Sequence, residues 1–186
     1  AIAAFGIGQR VLGFAFILLS GMTVGTSTMI GQSLGAAMPS FTSEIIRRAM
    51  LLSIAVQAVM TGLCYFSAPS IVGLFTGDPA AAGMGVDYLR VICAGMILMG
   101  PLHIIDAVFK GSGYTMPPMV SALVANWLIK LPAACILALS LNLGAIGIWW
   151  AITISIVAEL LVLLPWYLSG GWARRDIRVS TPELAE

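Results

Sequence analysis

Five long apolar runs occupy almost the whole chain, at Gly6 to Leu34, Ile46 to Phe75, Met84 to Phe109, Pro117 to Leu141 and Leu143 to Leu168. A helix that crosses a bilayer needs about 20 mostly apolar residues, because its backbone groups find no water in hydrocarbon and must bond within the segment. Each run meets that length, so the expected fold class is an all-α polytopic membrane protein with about five transmembrane helices. Charge agrees with this: 9% of the 186 residues are charged, against about a quarter in soluble domains. A formal net charge of +1 excludes the strongly basic surface that nucleic-acid binding requires. The lipid bilayer is the expected environment, with no nucleic-acid partner.

The connectors contain helix breakers: "GAAMPSFTSE", "TGDPAAAG", "KGSGYTMPP" and "LNLG". Their shortness predicts that successive helices are antiparallel neighbours. Arg47 and Arg48 follow the first run, Lys110 the third, and Arg174, Arg175 and Arg178 the fifth. These alternate connectors fall on one side, which the excess of Lys and Arg marks as cytoplasmic. The expectation is therefore a transmembrane bundle over residues 1–172 and a cytoplasmic tail over 173–186, in a plasma membrane such as a bacterial inner membrane. Ala1 would then start outside, and a sixth helix upstream would complete the topology. Trp149, Trp150, Trp166 and Tyr167 are expected at the two interfaces, where aromatic rings sit at headgroup level.

Ionisable groups inside the spans need a reason, since a charge at the bilayer centre costs about 2.5–3.5 kcal/mol on insertion scales. His103, Asp106 and Lys110 are spaced three and four apart, which puts them within about 60° of one another on one helix face. Either Asp106 exchanges a proton or a sodium ion with His103 tuning it, or Asp106 pairs with Lys110 and the pair anchors the helix end. Lys130 and Glu159 lie deep in the fourth and fifth runs. They either form a cross-helix ion pair or line a central polar cavity, with Asn126 one turn before Lys130 hydrogen-bonding across helices in either case. Pro101 and Pro132 interrupt helical hydrogen bonding, as hinges or as tolerated kinks. Gly21 with Gly25, and Gly31 with Gly35, have the four-residue spacing that lets helices approach closely. Cys64, Cys93 and Cys135 stand singly, with no metal or disulfide pattern. No nucleophile or metal ligand completes a centre around His103 and Asp106, so neither an enzyme nor a cofactor is expected.

Several stretches together resemble the multidrug and toxic compound extrusion (MATE) family. "AAFGIGQRVLGFAF" running into "GQSLGA" is similar to the second helix of a lobe in that family. "YLRVICAGMILMGPLHIIDAVFKGSGYTMPPM" resembles its fourth helix and following turn, with Lys110 and Tyr114 where an arginine and an aspartate are usual. "NWLIKLPAACILAL", "LGAIGIWWAITIS" and "YLSGGW" resemble the last two helices. The resemblance covers residues 1–172 and implies part of a six-helix lobe, the C-terminal one, of a twelve-helix transporter, with the N-terminal lobe missing. It implies secondary active efflux of drugs or organic cations by alternating access, coupled to protons or sodium ions. In sodium-coupled members a tenth-helix aspartate is associated with the ion, and that position falls near Met99, about two turns from Asp106. The other readings are a lipid-linked oligosaccharide flippase of the same superfamily and a non-transporting structural membrane subunit.

Overall fold

The computed structural model describes residues 2–74, 79–140 and 142–173, with side chains from Gly13 onward apart from Phe14, Ala15 and 79–81. Five rods follow the five apolar runs: α1 (Ile2–Gly35), α2 (Pro39–Gly73), α3 (Pro79–Gly111), α4 (Met116–Ser140) and α5 (Gly144–Leu168). A short 3-10 turn, Gly171–Ala173, follows α5. The helical parts of α2, α3, α4 and α5 are each long and apolar enough to cross a membrane. The expected tail with Arg174, Arg175 and Arg178, the side chain of Arg10, and Asp78 lie outside the described residues.

α2 starts seven residues before its apolar run, at Pro39 rather than Ile46. Proline is tolerated in a first turn, where its missing N–H would have no helical partner. Glu44 then accepts from Arg47 Nε at 3.0 Å and Arg48 Nε at 2.5 Å, which ties the polar opening of the helix together.

The break at "FKGSGYTMPPM" is a tight helix stop. Tyr114 N–H donates to Phe109 O at 2.9 Å and Gly113 N–H to Lys110 O at 3.2 Å. Gly113 has φ +70°. This pair of bonds closes the last turn of α3 on a left-handed residue. The Phe109 and Tyr114 rings meet edge to face at 6.0 Å, the apolar contact that usually accompanies such a stop. Pro117 then lies within the first turn of α4. The stop after α1 has the same form, with Met38 N–H donating to Ser33 O and Ala37 N–H to Leu34 O, both at 3.0 Å. Its left-handed residue is Ala37, φ 55°. Since alanine pays about 1 kcal/mol to adopt that conformation and glycine does not, Ala37→Gly is expected to stabilise the protein by about that amount. Thermal unfolding checks this, and a loss of stability would refute the assignment of the turn.

α3 is the centre of the bundle. It buries 56% of its most apolar stretch, against 6% for α4. Its extensive contacts are with α1, α2 and α5. On α2 the polar residues Ser53, Gln57 and Thr61, spaced one turn apart, meet α3. The carbonyl of Ser53 stands 3.0 Å from where a Cβ on Gly100 would be. Gln57 Nε2 donates to Met96 O at 2.8 Å, and Cys93 Sγ reaches Thr61 O at 3.8 Å. Thr153 Oγ1 of α5 donates to Val91 O at 3.3 Å. Polar side chains bridging helices in this way add about 0.6 kcal/mol each, and the apolar packing between them does the rest.

Three expectations change here. The close approaches do not follow the glycine spacing of α1: around Gly21, Gly25 and Gly35 no described atom lies within 4 Å of an added Cβ. α1 meets α3 at Gly31 instead, and there the decisive glycine is Gly111, whose added Cβ would stand 2.5 Å from Ser27 O. Trp149 is not an interface residue. It is 3% exposed and packs edge-on against Tyr88 with ring centres 5.1 Å apart, because the first half of α5 lies across α3. Finally, α3 and α4 are consecutive but touch very little.

α4 is also irregular. Val124–Lys130 and Ile136–Ser140 are π-helical, on either side of an α-helical Leu131–Cys135. Pro132 explains the first widening: in an α-helix its ring would collide with the carbonyl four residues earlier, and an extra residue in the turn relieves this. The second widening leads into the turn, where Leu143 N–H reaches back six residues to Leu137 O at 3.2 Å. Pro101, by contrast, lies within a continuous α3, beside the Gly100–Ser53 approach that fixes it against α2.

Candidate functional site

The charged candidates Asp106, Lys110, Lys130 and Glu159 line cavities bordered by α3, α4 and α5. His103, Asp106 and Lys110 lie along one face of α3. Lys110 Nζ and Asp106 Oδ2 are 2.5 Å apart, so the i,i+4 pair is formed. His103 Nδ1 lies 3.0 Å from Met99 O, and its ring meets Phe16 of α1 edge to face at 6.1 Å. The backbone carbonyl gives Nδ1 an acceptor, so Nδ1 carries the hydrogen in that contact.

On α4, Asn126 Nδ2 donates to Ala122 O at 2.8 Å, and its Oδ1 accepts from Lys130 Nζ at 3.2 Å. Both residues sit in the π-helical turn. Asn126 therefore bonds along its own helix rather than across to another. The expected Lys130–Glu159 ion pair is not formed: among the described residues Glu159 has no cationic group within 4.0 Å. The Lys130 ammonium lies along α4, at Asn126, and not across at α5.

All five candidates nevertheless share two adjoining cavities. The first, about 360 Å³, takes residues from all five helices: Phe16, Gln57, Met96, Asn126, Lys130 and Glu159 are among its walls. The second, about 440 Å³, is lined by His103, Asp106 and Lys110 of α3, by Thr115 and Ala122 near the start of α4, and by Glu159. Met99, Ile156 and Glu159 line both. Cavities of this size suit small organic molecules. The walls of the first combine thioethers, aromatic rings and aliphatic chains with the Lys130 ammonium, the Glu159 carboxylate, the Gln57 and Asn126 amides and the Tyr88 and Ser155 hydroxyls. Met side chains in such walls are soft and adapt to different shapes.

Gln57 is the residue that sequence reasoning missed. Its signal is the one-turn spacing of Ser53, Gln57 and Thr61 within an otherwise apolar helix, a polar stripe facing a neighbour. A larger cavity of about 610 Å³ lies elsewhere, between α1 and α2. Its walls are mostly apolar, with Gly25, Met29 and Phe41 among them, and Glu44 and Arg48 at its edge are already paired. Of the candidate pathway, hinge and packing residues it holds only Gly25.

Comparison with known proteins bears on what such a bundle is. A family model described as MatE matches residues 1–136. "Probable multidrug resistance protein NorM" of Thermotoga maritima is 26% identical over 178 residues, which cover 95% of this chain and 38% of that protein. "Probable multidrug resistance protein YoeA" of Bacillus subtilis is 24% identical over 95% of this chain and 38% of its own length. "Protein DETOXIFICATION 41" of Arabidopsis thaliana is 25% identical over 91% of this chain and 33% of its own. The chain thus spans a little over a third of the length of these relatives. Among solved structures, a "MATE in the bent conformation" superposes with a TM-score of 0.86 at 20% identity, over 98% of this chain and 41% of that one. An inward-facing MATE transporter superposes with a TM-score of 0.79 at 19% identity, over 89% of this chain and 38% of that one. These likenesses show the fold: the neighbours are twelve-helix transporters, and the five rods correspond to part of one lobe.

Proposed function

Because the chain belongs to the MatE family, a family of transporters and not of enzymes, we propose that it forms the greater part of the C-terminal lobe of an exporter of drugs or organic cations. Its substrate would bind between this lobe and an N-terminal one, and the two would alternate access across the membrane. Transport would be coupled to protons or sodium ions, with no organic cofactor. The chain is a multi-pass membrane protein, and the distribution of Lys and Arg supports a plasma-membrane location, such as a bacterial inner membrane, with a cytoplasmic C-terminus.

The observation that supports this reading best is the convergence of all five helices on a cavity that holds Asn126, Lys130 and Glu159, inside a bundle otherwise made of apolar side chains. Ionisable groups facing an interior cavity mark ion and substrate pathways in membrane proteins. The adjoining cavity adds His103 and Asp106, groups able to exchange a proton, and Pro101 and Pro132 are the positions at which helices could bend during the cycle.

The test is dye and drug efflux from cells expressing the longest reading frame that includes this chain, with sodium and pH varied separately. Efflux that needs one of the two gradients is the expected result. Asp106→Asn is expected to slow it severalfold at unchanged protein level. If Asp106→Asn exports normally, the Asp106–Lys110 pair is an anchor and not part of the ion path; if no gradient drives efflux from the unaltered protein, the transport reading fails.

A further inference from the structure

The groove between α1 and α2 is apolar along its length and charged at one end. Two adjoining cavities of about 610 and 390 Å³ make it up, with Met22 in the walls of both. Gly25 lies in the wall of the larger one, and nothing within 4 Å would meet a Cβ there. The two helices therefore stand apart where glycine would let them close, and the space stays open along them. From Ala49 to Val59, which line the two cavities in turn, α2 rises about 15 Å at 1.5 Å per residue. That is one half of a hydrocarbon core about 30 Å thick, so the groove has the depth of one bilayer leaflet.

At the charged end Glu44 accepts from both Arg47 and Arg48. Side chains on a helix lean toward its N-terminus, which carries the Arg48 guanidinium back one turn, away from the apolar part of the groove. Its Nε is the atom bonded to Glu44, and its terminal amino groups have no protein partner among the described residues. Two guanidinium groups and one carboxylate leave a single excess positive charge. On the other side of α2, Arg47 borders a cavity walled by Tyr167 and Trp172, whose rings stack with centres 6.0 Å apart. Tyrosine and tryptophan rings collect at headgroup level, so the arginines stand where a leaflet carries its phosphates.

We propose that this groove holds one anionic phospholipid. Guanidinium N–H groups of Arg47 and Arg48 donate to the phosphodiester oxygens, which they match as paired planar donors. One acyl chain lies along Ala49, Leu52 and Val59 of α2 and Met22 and Gly25 of α1. A diester with an uncharged glycerol headgroup answers the single excess charge. A choline or ethanolamine headgroup adds a cation beside two arginines whose carboxylate is already shared. Basic pockets between transmembrane helices recognise anionic headgroups in this way. The inference needs only that the chain spans a membrane, and it stands apart from the transport reading.

The longest reading frame that includes this chain, purified in detergent, is offered phosphatidylglycerol and phosphatidylcholine in equal amounts with the same acyl chains, and the retained lipid is read by native mass spectrometry. Phosphatidylglycerol is expected to be retained about fivefold over phosphatidylcholine, the size of effect one basic residue near a membrane surface supports. Arg48→Gln, at a side chain 77% exposed and so without consequence for folding, is expected to abolish the preference. Gly25→Leu fills the groove without changing any charge and is expected to abolish it as well. Should Gly25→Leu fail to accumulate, Val59→Trp at the exposed far end of the groove replaces it. Equal retention of the two lipids, or a preference that survives Arg48→Gln, overturns the proposal. A preference lost in Arg48→Gln but kept when the groove is filled means attraction to a basic surface alone, and overturns it too. Retention of neither lipid means that another part of the same protein occupies the groove, which also overturns it.

Discussion

Gly147→Ala is expected to destabilise the 186-residue chain by about 1–3 kcal/mol, the range for forcing extra atoms into a packed interior. An added Cβ at Gly147 would stand 2.6 Å from the carbonyl carbon of Leu137 and 2.8 Å from Ala138 N. These are backbone atoms of α4, which cannot rotate away as a side chain would, so the two helices must separate. Gly147→Val should prevent accumulation of folded protein altogether. Gly111→Ala belongs with it, because its Cβ would meet Ser27 O. Gly21→Ala is the contrast: with no described atom nearby, it leaves stability unchanged or raises it slightly through better helix propensity. Thermal unfolding in nanodiscs distinguishes the two groups. Equal losses at Gly21 and Gly147 would mean that the helices do not pack as described.

Glu159→Gln is expected to reduce efflux by the whole transporter at least tenfold while the amount of protein in the membrane is maintained. Glu159 lines both cavities and has no ion pair among the described residues. An unpaired carboxylate inside a bilayer opposes insertion by a few kcal/mol, so its removal should not harm folding. Loss of protein together with loss of efflux would instead make Glu159 a structural residue, and normal efflux would place the transport path elsewhere. Asp106 differs, because its charge is answered by Lys110 and its replacement leaves an ammonium group that is half exposed.

The number and position of the helices were legible because the bilayer imposes one length and one composition on every crossing. The stop at Gly113 was equally legible, from Lys110 through the double proline, since turns announce themselves by residue type. Partners across helices were not. The four-residue glycine spacing of α1 permits close approach without deciding it, and Gly111 and Gly147 make the contacts without such a pattern around them, because what meets a glycine is decided by the other helix. Lys130 shows the same limit: its depth in α4 was plain, but whether its ammonium meets Asn126 on its own helix or Glu159 on α5 is decided by how the helices stand to each other. That the α3 stripe and the α4 and α5 residues border adjoining cavities was not legible, because spacing on one helix does not say which helix it faces. Gln57 escaped notice because an amide bears no charge, and the bond it gives to Met96 O appears only once α2 and α3 are side by side.

The sparse contact between α3 and α4 has a mechanical consequence. α1, α2 and α3 are fastened to one another by interhelical hydrogen bonds and by backbones in close approach, whereas α4 is fastened mainly to α5 and buries 6% of its apolar stretch. α4 is thus held to the block through α5 and not directly, so a displacement of α4 about the turn at Ser112 to Thr115 has to carry α5 with it or part the Gly147 approach. The walls of both cavities on that side depend on one helix–helix seam, while the bonds between α2 and α3 lie outside it.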